Sequence, residues 1–177
     1  MSTLNMIMAG FGGQGILFSG KVTAYAALLD NKQLSWLPAY GPEMRGGTCN
    51  CSVVVSDELI GSPLVVDPDV LIAMNEPSLD KFIDSVVPGG IVLVDSTMVD
   101  KKVERKDVRV FYIPASKLAE ENDLSGLANI ILLGKLYKET AFCSKDALDG
   151  AILKCVPAKK ANMIEMNRKA LRIGWEI

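Results

Sequence analysis

Four glycines, Gly10, Gly12, Gly13 and Gly15, crowd into the first six residues of the stretch GFGGQGILFSGK, directly after the apolar run Leu4 to Ala9. Gly15 to about Leu29 then reads as a helix, with Ala24, Ala26, Ala27, Leu28 and Leu29 as helix formers. A buried strand that leaves through a glycine-rich turn and enters a helix is the opening unit of an α/β fold. Gly10, Gly12 and Gly15 satisfy G-x-G-x-x-G in that context. Glycine permits backbone angles closed to other residues and removes side chains that would block a ligand. A helix start offers unpaired N–H groups and a partial positive charge, so a phosphate is a natural guest. Lys21 sits within the helix and adds charge only if its side chain reaches back.

The rest of the chain alternates short apolar runs with helical segments. Gln33 to Leu37 reads as a second strand ended by Pro38, and Tyr40 to Thr48 as a loop. Cys51 to Ser56, Val70 to Met74, Ile91 to Val94 and Val108 to Ile113 read as strands. Helices are expected from Pro77 to about Val86, Pro114 to Asn122, Leu127 to Lys138, Lys145 to Lys154 and Lys159 to Leu171. Continuously apolar strands are buried on both faces. The expected fold is therefore a three-layer α/β/α sandwich with a mostly parallel, Rossmann-like sheet and a helical C-terminal part. One domain over residues 1–177 is the simplest organisation, with no repeat or linker.

Composition narrows the function. A net charge of −2, with Lys and Arg spread along the chain, gives no support to a nucleic-acid partner. No run approaches a membrane span, and no basic-then-apolar leader is seen, so the cytoplasm is the expected compartment. A chain that is 49% hydrophobic can fill a core and still cover faces with partner subunits. The four cysteines, Cys49, Cys51, Cys143 and Cys155, include one C-x-C pair with no match downstream. There is no histidine, so a zinc site would need thiolates or carboxylates alone, and the commonest general acid–base side chain is missing. No iron–sulfur ligation run is present. Reduced thiols are expected, with Cys51 turned into the core from a strand and the others packed on helices.

A dinucleotide enzyme would carry an acid at the end of its second strand to hold ribose hydroxyls. Gln33-Leu34-Ser35-Trp36-Leu37-Pro38 contains none, and Asp30 comes too early. The Walker loop fails too, since no Gly-Lys-Ser/Thr follows at its spacing. The second informative stretch is YGPEMRGGTCN, Tyr40 to Asn50. It should leave the carboxyl end of the second strand, on the same sheet edge as the glycine loop, where open α/β sheets bind ligands. Arg45 could clamp a phosphate or a partner's carboxylate through its planar fork, or simply pair with Glu43.

Taken together, Gly-x-Gly-Gly-Gln-Gly-Ile and, some two dozen residues on, Tyr-Gly-x-Glu-x-Arg-Gly-Gly-Thr before a strand resemble the gamma subunit of the 2-oxoacid:ferredoxin oxidoreductases. Pro88-Gly89-Gly90 before IVLVDS, and Asn129, Leu133 and Gly134, extend the resemblance over nearly the whole chain. Such enzymes decarboxylate a 2-oxoacid on thiamine diphosphate, pass electrons through iron–sulfur clusters to ferredoxin and transfer the acyl group to coenzyme A. The resemblance implies that thiamine diphosphate and the clusters belong to partner chains: alpha and beta subunits and a ferredoxin-like subunit. It implies no catalytic residue here, and coenzyme A phosphates meeting Gly10, Gly12, Gly13, Gln14 and Gly15. Tyr40, Glu43 and Arg45 would line the same edge or the alpha-subunit interface. A separate short gamma chain with this spelling resembles the 2-oxoglutarate group. Two other readings compete: a free-standing nucleotide-binding Rossmann-like reductase, and a purely structural subunit whose glycine loop only packs.

Overall fold

The computed structural model describes residues 3–39 and 48–177. Six strands form one sheet: β1 (Thr3–Phe11), β2 (Gln33–Ala39), β3 (Thr48–Ser56), β4 (Val70–Ala73), β5 (Ile91–Asp95) and β6 (Arg109–Ile113). Six helices accompany them: α1 (Ile16–Leu29), α2 (Glu76–Phe82), α3 (Ala115–Glu121), α4 (Ala128–Thr140), α5 (Lys145–Cys155) and α6 (Met163–Glu176). The strand order is β2-β3-β1-β4-β5-β6. β1, β4, β5 and β6 are parallel neighbours, whereas β3 runs antiparallel to both β1 and β2. The sheet is thus mostly parallel, as expected, with one reversed strand inserted between β2 and β1.

The inner strands β1, β3, β4 and β5 are buried because their side chains alternate between two cores, whereas edge strand β6 is only partly covered. On one face Met6, Met8, Cys51, Val53, Ile72 and Leu93 pack under α1, α4 and α5. On the other, Ile7, Ala9, Val54, Leu71, Val92 and Val94 pack with Leu79 of α2 and Val99. The expected layers are present, and the C-terminal half is helical. Asn75 starts α2, its Oδ1 accepting the Ser78 N–H at 2.8 Å, with Pro77 in the first turn. Ser144 caps α5 in the same way, accepting from the Ala147 N–H at 3.2 Å.

Several boundaries differ from the sequence reading, each for a local reason. β2 runs through Pro38 to Ala39, which an edge strand tolerates because only one of its sides carries a ladder. β3 begins at Thr48, so Cys49 lies on the same strand and face as Cys51 instead of on a helix. Cys143 precedes α5, and all four thiols are free and buried. α2 stops at Phe82 and tightens into a 3₁₀ turn over Ile83–Ser85. Arg105 holds that turn, its Nη1 donating to the carbonyls of Ile83 at 2.9 Å and Val86 at 2.7 Å.

α6 lies so close to α4 that a Cβ on Gly134 would collide with the Leu171 carbonyl, and one on Gly174 with the Ile131 carbonyl. Asn167, Ala170 and Gly174 form the buried stripe of α6. Small residues at that spacing let two helix backbones approach, and here they seat α6 on the hydrophobic α4.

Candidate functional site

The carboxyl edge of the sheet gathers the loops that follow β1, β4 and β5. β1 connects to α1 on one side of the sheet order and β4 continues on the other, so β1 and β4 bracket the switch point where open α/β sheets leave a crevice. A cleft of about 190 Å³ opens there. Gly13 and Gln14 from the glycine loop form one wall, Met74 beyond β4 contributes to the lining, and Ser116, Ser125 and Gly126 come from the far side.

The glycines of the loop divide by environment. Gly10 is the penultimate residue of β1 and is buried; a Cβ there would stand 2.6 Å from Gln14 Oε1 and 2.8 Å from Ile16 Cδ1. Gly12 and Gly13 are exposed at the rim. Gly13 has φ +96°, with no atom within 4 Å of a built Cβ. Gly15 occupies the N-cap of α1 in the left-handed region, with φ 76° and ψ 19°, and provides no side-chain cap. A Cβ on Gly15 would lie 2.5 Å from Asn129 Nδ2. The first turn of α1 also holds no acid, so its N–H groups are left without a competing carboxylate.

Gln14 turns inward. Its Oε1 accepts the Phe11 N–H at 2.6 Å and its Nε2 donates to the Met74 carbonyl at 3.0 Å. Its own N–H donates to the Phe11 carbonyl at 3.2 Å. One amide thereby closes the loop and ties β1 to the end of β4. Lys21 does not reach back to the helix start; its ammonium stands 5.7 Å from the centre of the Tyr25 ring, one turn further along.

The far wall depends on a buried carboxylate. Asp95 ends β5 with no exposed surface and accepts from the Ser116 N–H and hydroxyl and from the Thr97 N–H. Ser116 is held there at the start of α3, facing the glycine loop across the cleft. These far-wall residues were missed at the sequence level, since no motif links a loop near residue 12 to segments a hundred residues later. Asn129 was singled out, but without its contact to Gly15.

Tyr40, Glu43 and Arg45 lie outside the described residues. The ends of the flanking strands are described. Phe11 pairs with Thr48 and Ala39 with Asn50, so β2 finishes and β3 starts on the edge that carries the glycine loop.

Other features of the described residues give no competing centre. Burial pushes the Cys51 and Cys143 thiols up to about 12 and raises those of Cys49 and Cys155. Thiols so buried are poor nucleophiles and poor ligands at neutral pH. No cluster suited to a metal ion occurs among the described residues. None of the described helices is long and apolar enough to cross a membrane. A larger groove of about 460 Å³ runs between α5 and α6, lined by Tyr137, Leu148, Leu171 and Trp175. It contains no residue singled out by sequence. Its Arg168 is engaged by Asp149 and Glu165.

Comparison with known proteins agrees with this architecture. Residues 5–177 match the family described as pyruvate ferredoxin/flavodoxin oxidoreductase. Ketoisovalerate oxidoreductase subunit VorA of Methanothermobacter thermautotrophicus is 42% identical over 96% of this chain, which spans only 35% of that longer relative. 2-Oxoglutarate synthase subunit KorC of Methanocaldococcus jannaschii is 40% identical, covering 96% of this chain and 91% of its own. The crystal structure of a keto/oxoacid ferredoxin oxidoreductase gamma subunit from Geobacter sulfurreducens superimposes with a TM-score of 0.84 at 32% identity, over 98% of this chain and 96% of the other. A match running almost the whole length, in sequence and in fold, bears out the resemblance carried by the two loops. The chain belongs to the pyruvate ferredoxin/flavodoxin oxidoreductase family.

Proposed function

We propose that this chain is the gamma subunit of a 2-oxoacid:ferredoxin oxidoreductase, a single-domain, non-catalytic component that helps to bind coenzyme A while partner chains perform the chemistry. The observation that carries this reading is the glycine-rimmed cleft at the β1–β4 switch point, found in a family that oxidises 2-oxoacids. Exposed Gly12 and Gly13 leave backbone N–H groups open to a phosphate at the start of a fourteen-residue helix. Cytoplasmic alpha and beta subunits and a ferredoxin-like subunit would supply thiamine diphosphate and iron–sulfur clusters. All four thiols of this chain are free and buried, which argues against cluster ligation here. Tyr40, Glu43 and Arg45 would complete the rim or the contact with the alpha subunit.

The chemistry divides accordingly. Coenzyme A brings the thiol that accepts the acyl group. The residues of this chain bind and orient it: N–H groups of Gly12, Gly13 and Gly15 meet phosphate oxygens, and Met74 and Ser116 flank the cleft on either side. No proton transfer is assigned to this chain.

Affinity purification from native extract tests the assembly. Recovery of alpha and beta subunits with the chain is expected; a chain that always purifies alone at native abundance would sink it. Isothermal titration of coenzyme A into the assembled complex, with wild-type chain or Gly13→Asp, tests the ligand. Weaker binding by the variant is expected, and equal affinity refutes the coenzyme A role.

A further inference from the structure

We infer that Gln14 and Asn129 are positioning residues whose side-chain amides hold the glycine loop in its ligand-ready shape without bonding the ligand themselves. This rests on coenzyme A being the occupant of the cleft. Both hydrogen-bonding ends of the Gln14 amide are spent inside the protein, on Phe11 N–H at 2.6 Å and on the Met74 carbonyl at 3.0 Å. Its side chain is therefore engaged elsewhere, whereas Gly12 and Gly13 beside it are exposed. Asn129 is only 2% exposed and donates Nδ2 to the Gly15 carbonyl at 2.9 Å. Gly15 is the left-handed residue that turns the loop into α1. One amide thus fixes the loop's entry against β4, and the other fixes its exit against the first turn of α4.

The physical consequence is preorganisation. A loop of glycines has more conformational freedom to lose than any other. Ordering it at the moment of binding would weaken affinity, and two side-chain amides that order it beforehand remove that cost. Their removal should change the free protein first and the affinity as a result. A residue in direct contact with coenzyme A would behave differently: it would change the affinity and leave the free loop alone.

The test uses Gln14→Met and Asn129→Leu, both close in shape and unable to make these bonds, with Gln14→Glu as a graded variant that keeps the acceptor for Phe11. Amide hydrogen exchange across residues 10–15 is followed in the full-length chain without coenzyme A, and KM and kcat for coenzyme A are followed in the assembled complex. Faster exchange in the free chain is expected for all three, least for Gln14→Glu at Phe11. KM should rise about tenfold for Gln14→Met and Asn129→Leu, with kcat within about twofold. A higher KM with unchanged exchange would make Gln14 a direct contact and overturn the inference; so would faster exchange with unchanged KM. If Gly13→Asp raises KM while Gln14→Met does not, the strut inference alone falls. If Gly13→Asp leaves KM unchanged, the coenzyme A reading falls and this inference with it.

Discussion

Asn129, in the first turn of α4, donates its side-chain amide to the carbonyl of Gly15, 2.9 Å away across 114 residues of sequence. The contact joins the N-terminal βα unit to the C-terminal helices at the rim of the cleft. It also leaves no room for a side chain at Gly15, where a Cβ would stand 2.5 Å from Nδ2.

Gly15→Ala should therefore be costly twice over. The left-handed backbone at φ 76° costs an L-residue about 1–2 kcal/mol. Displacing the buried Asn129 amide adds about 1–3 kcal/mol for a group left unpaired. In an Asn129→Ala background the second part is already lost, so Gly15→Ala should cost only the backbone strain. Urea unfolding of the four proteins measures this; equal costs in both backgrounds would deny the coupling.

Gly13→Asp should separate stability from ligand use. No atom lies within 4 Å of a built Cβ, so the folded chain should lose only the strain of a positive φ, about 1–2 kcal/mol. At the rim, a carboxylate beside incoming phosphates repels them: like charges 4 Å apart cost about 4 kcal/mol near a protein surface before salt screening. A coenzyme A KM raised at least about tenfold in the assembled complex is expected, with a modest fall in the unfolding midpoint of the free chain.

Gly174→Ala reverses the usual sign of a helix substitution. In an ordinary helix interior the change gains about 0.5–1 kcal/mol. Here the new methyl would meet the Ile131 carbonyl in the α4–α6 crossing, and the helices would have to separate. A net loss of about 1–3 kcal/mol is expected, read as a lower thermal midpoint, with Gly134→Ala behaving alike. Gain of stability in either variant would show that α6 does not pack as described.

The two Gly174 and Gly13 cases also mark how far the sequence could be read. Gly13 lies in a local signal: strand, glycine turn and helix within thirty residues, all dictated by short-range chemistry. The parallel strands Val70–Ala73 and Ile91–Asp95 were legible for the same reason, as apolar runs bounded by Pro and Gly. Gly174 is different, because its constraint is another helix forty residues away and nothing local announces it. The direction of β3 was equally hidden, since CSVVVS is buried on both faces whichever way it runs. Pro38 misled because a proline ends a central strand but not an edge strand, and edge position is a property of the finished sheet. At the site, the glycine loop was read locally, whereas its opposing wall at Ser116 and Gly126 comes from the chain's later half.

Alkaline pH should probe the sealed helical core. Burial pushes the Cys51 thiol up to about 12 from an ordinary value of 9.0, and burial, with a smaller effect of Asp30, does the same at Cys143. The folded state thus holds protons that the unfolded chain would release. The stability contributed by these thiols is fully present below about pH 9 and is lost as pH rises toward 12. Urea midpoints should be level between pH 7 and 8.5 and fall above 9. In a Cys51→Ala/Cys143→Ala variant the overall stability should be lower because of the cavity left at Cys51, while the alkaline decline becomes shallower. Thiol labelling gives an independent check: at pH 8 the native protein should react slowly at all four cysteines, and quickly once unfolded. Rapid native labelling of Cys51 would show that β3 opens to solvent beneath α1.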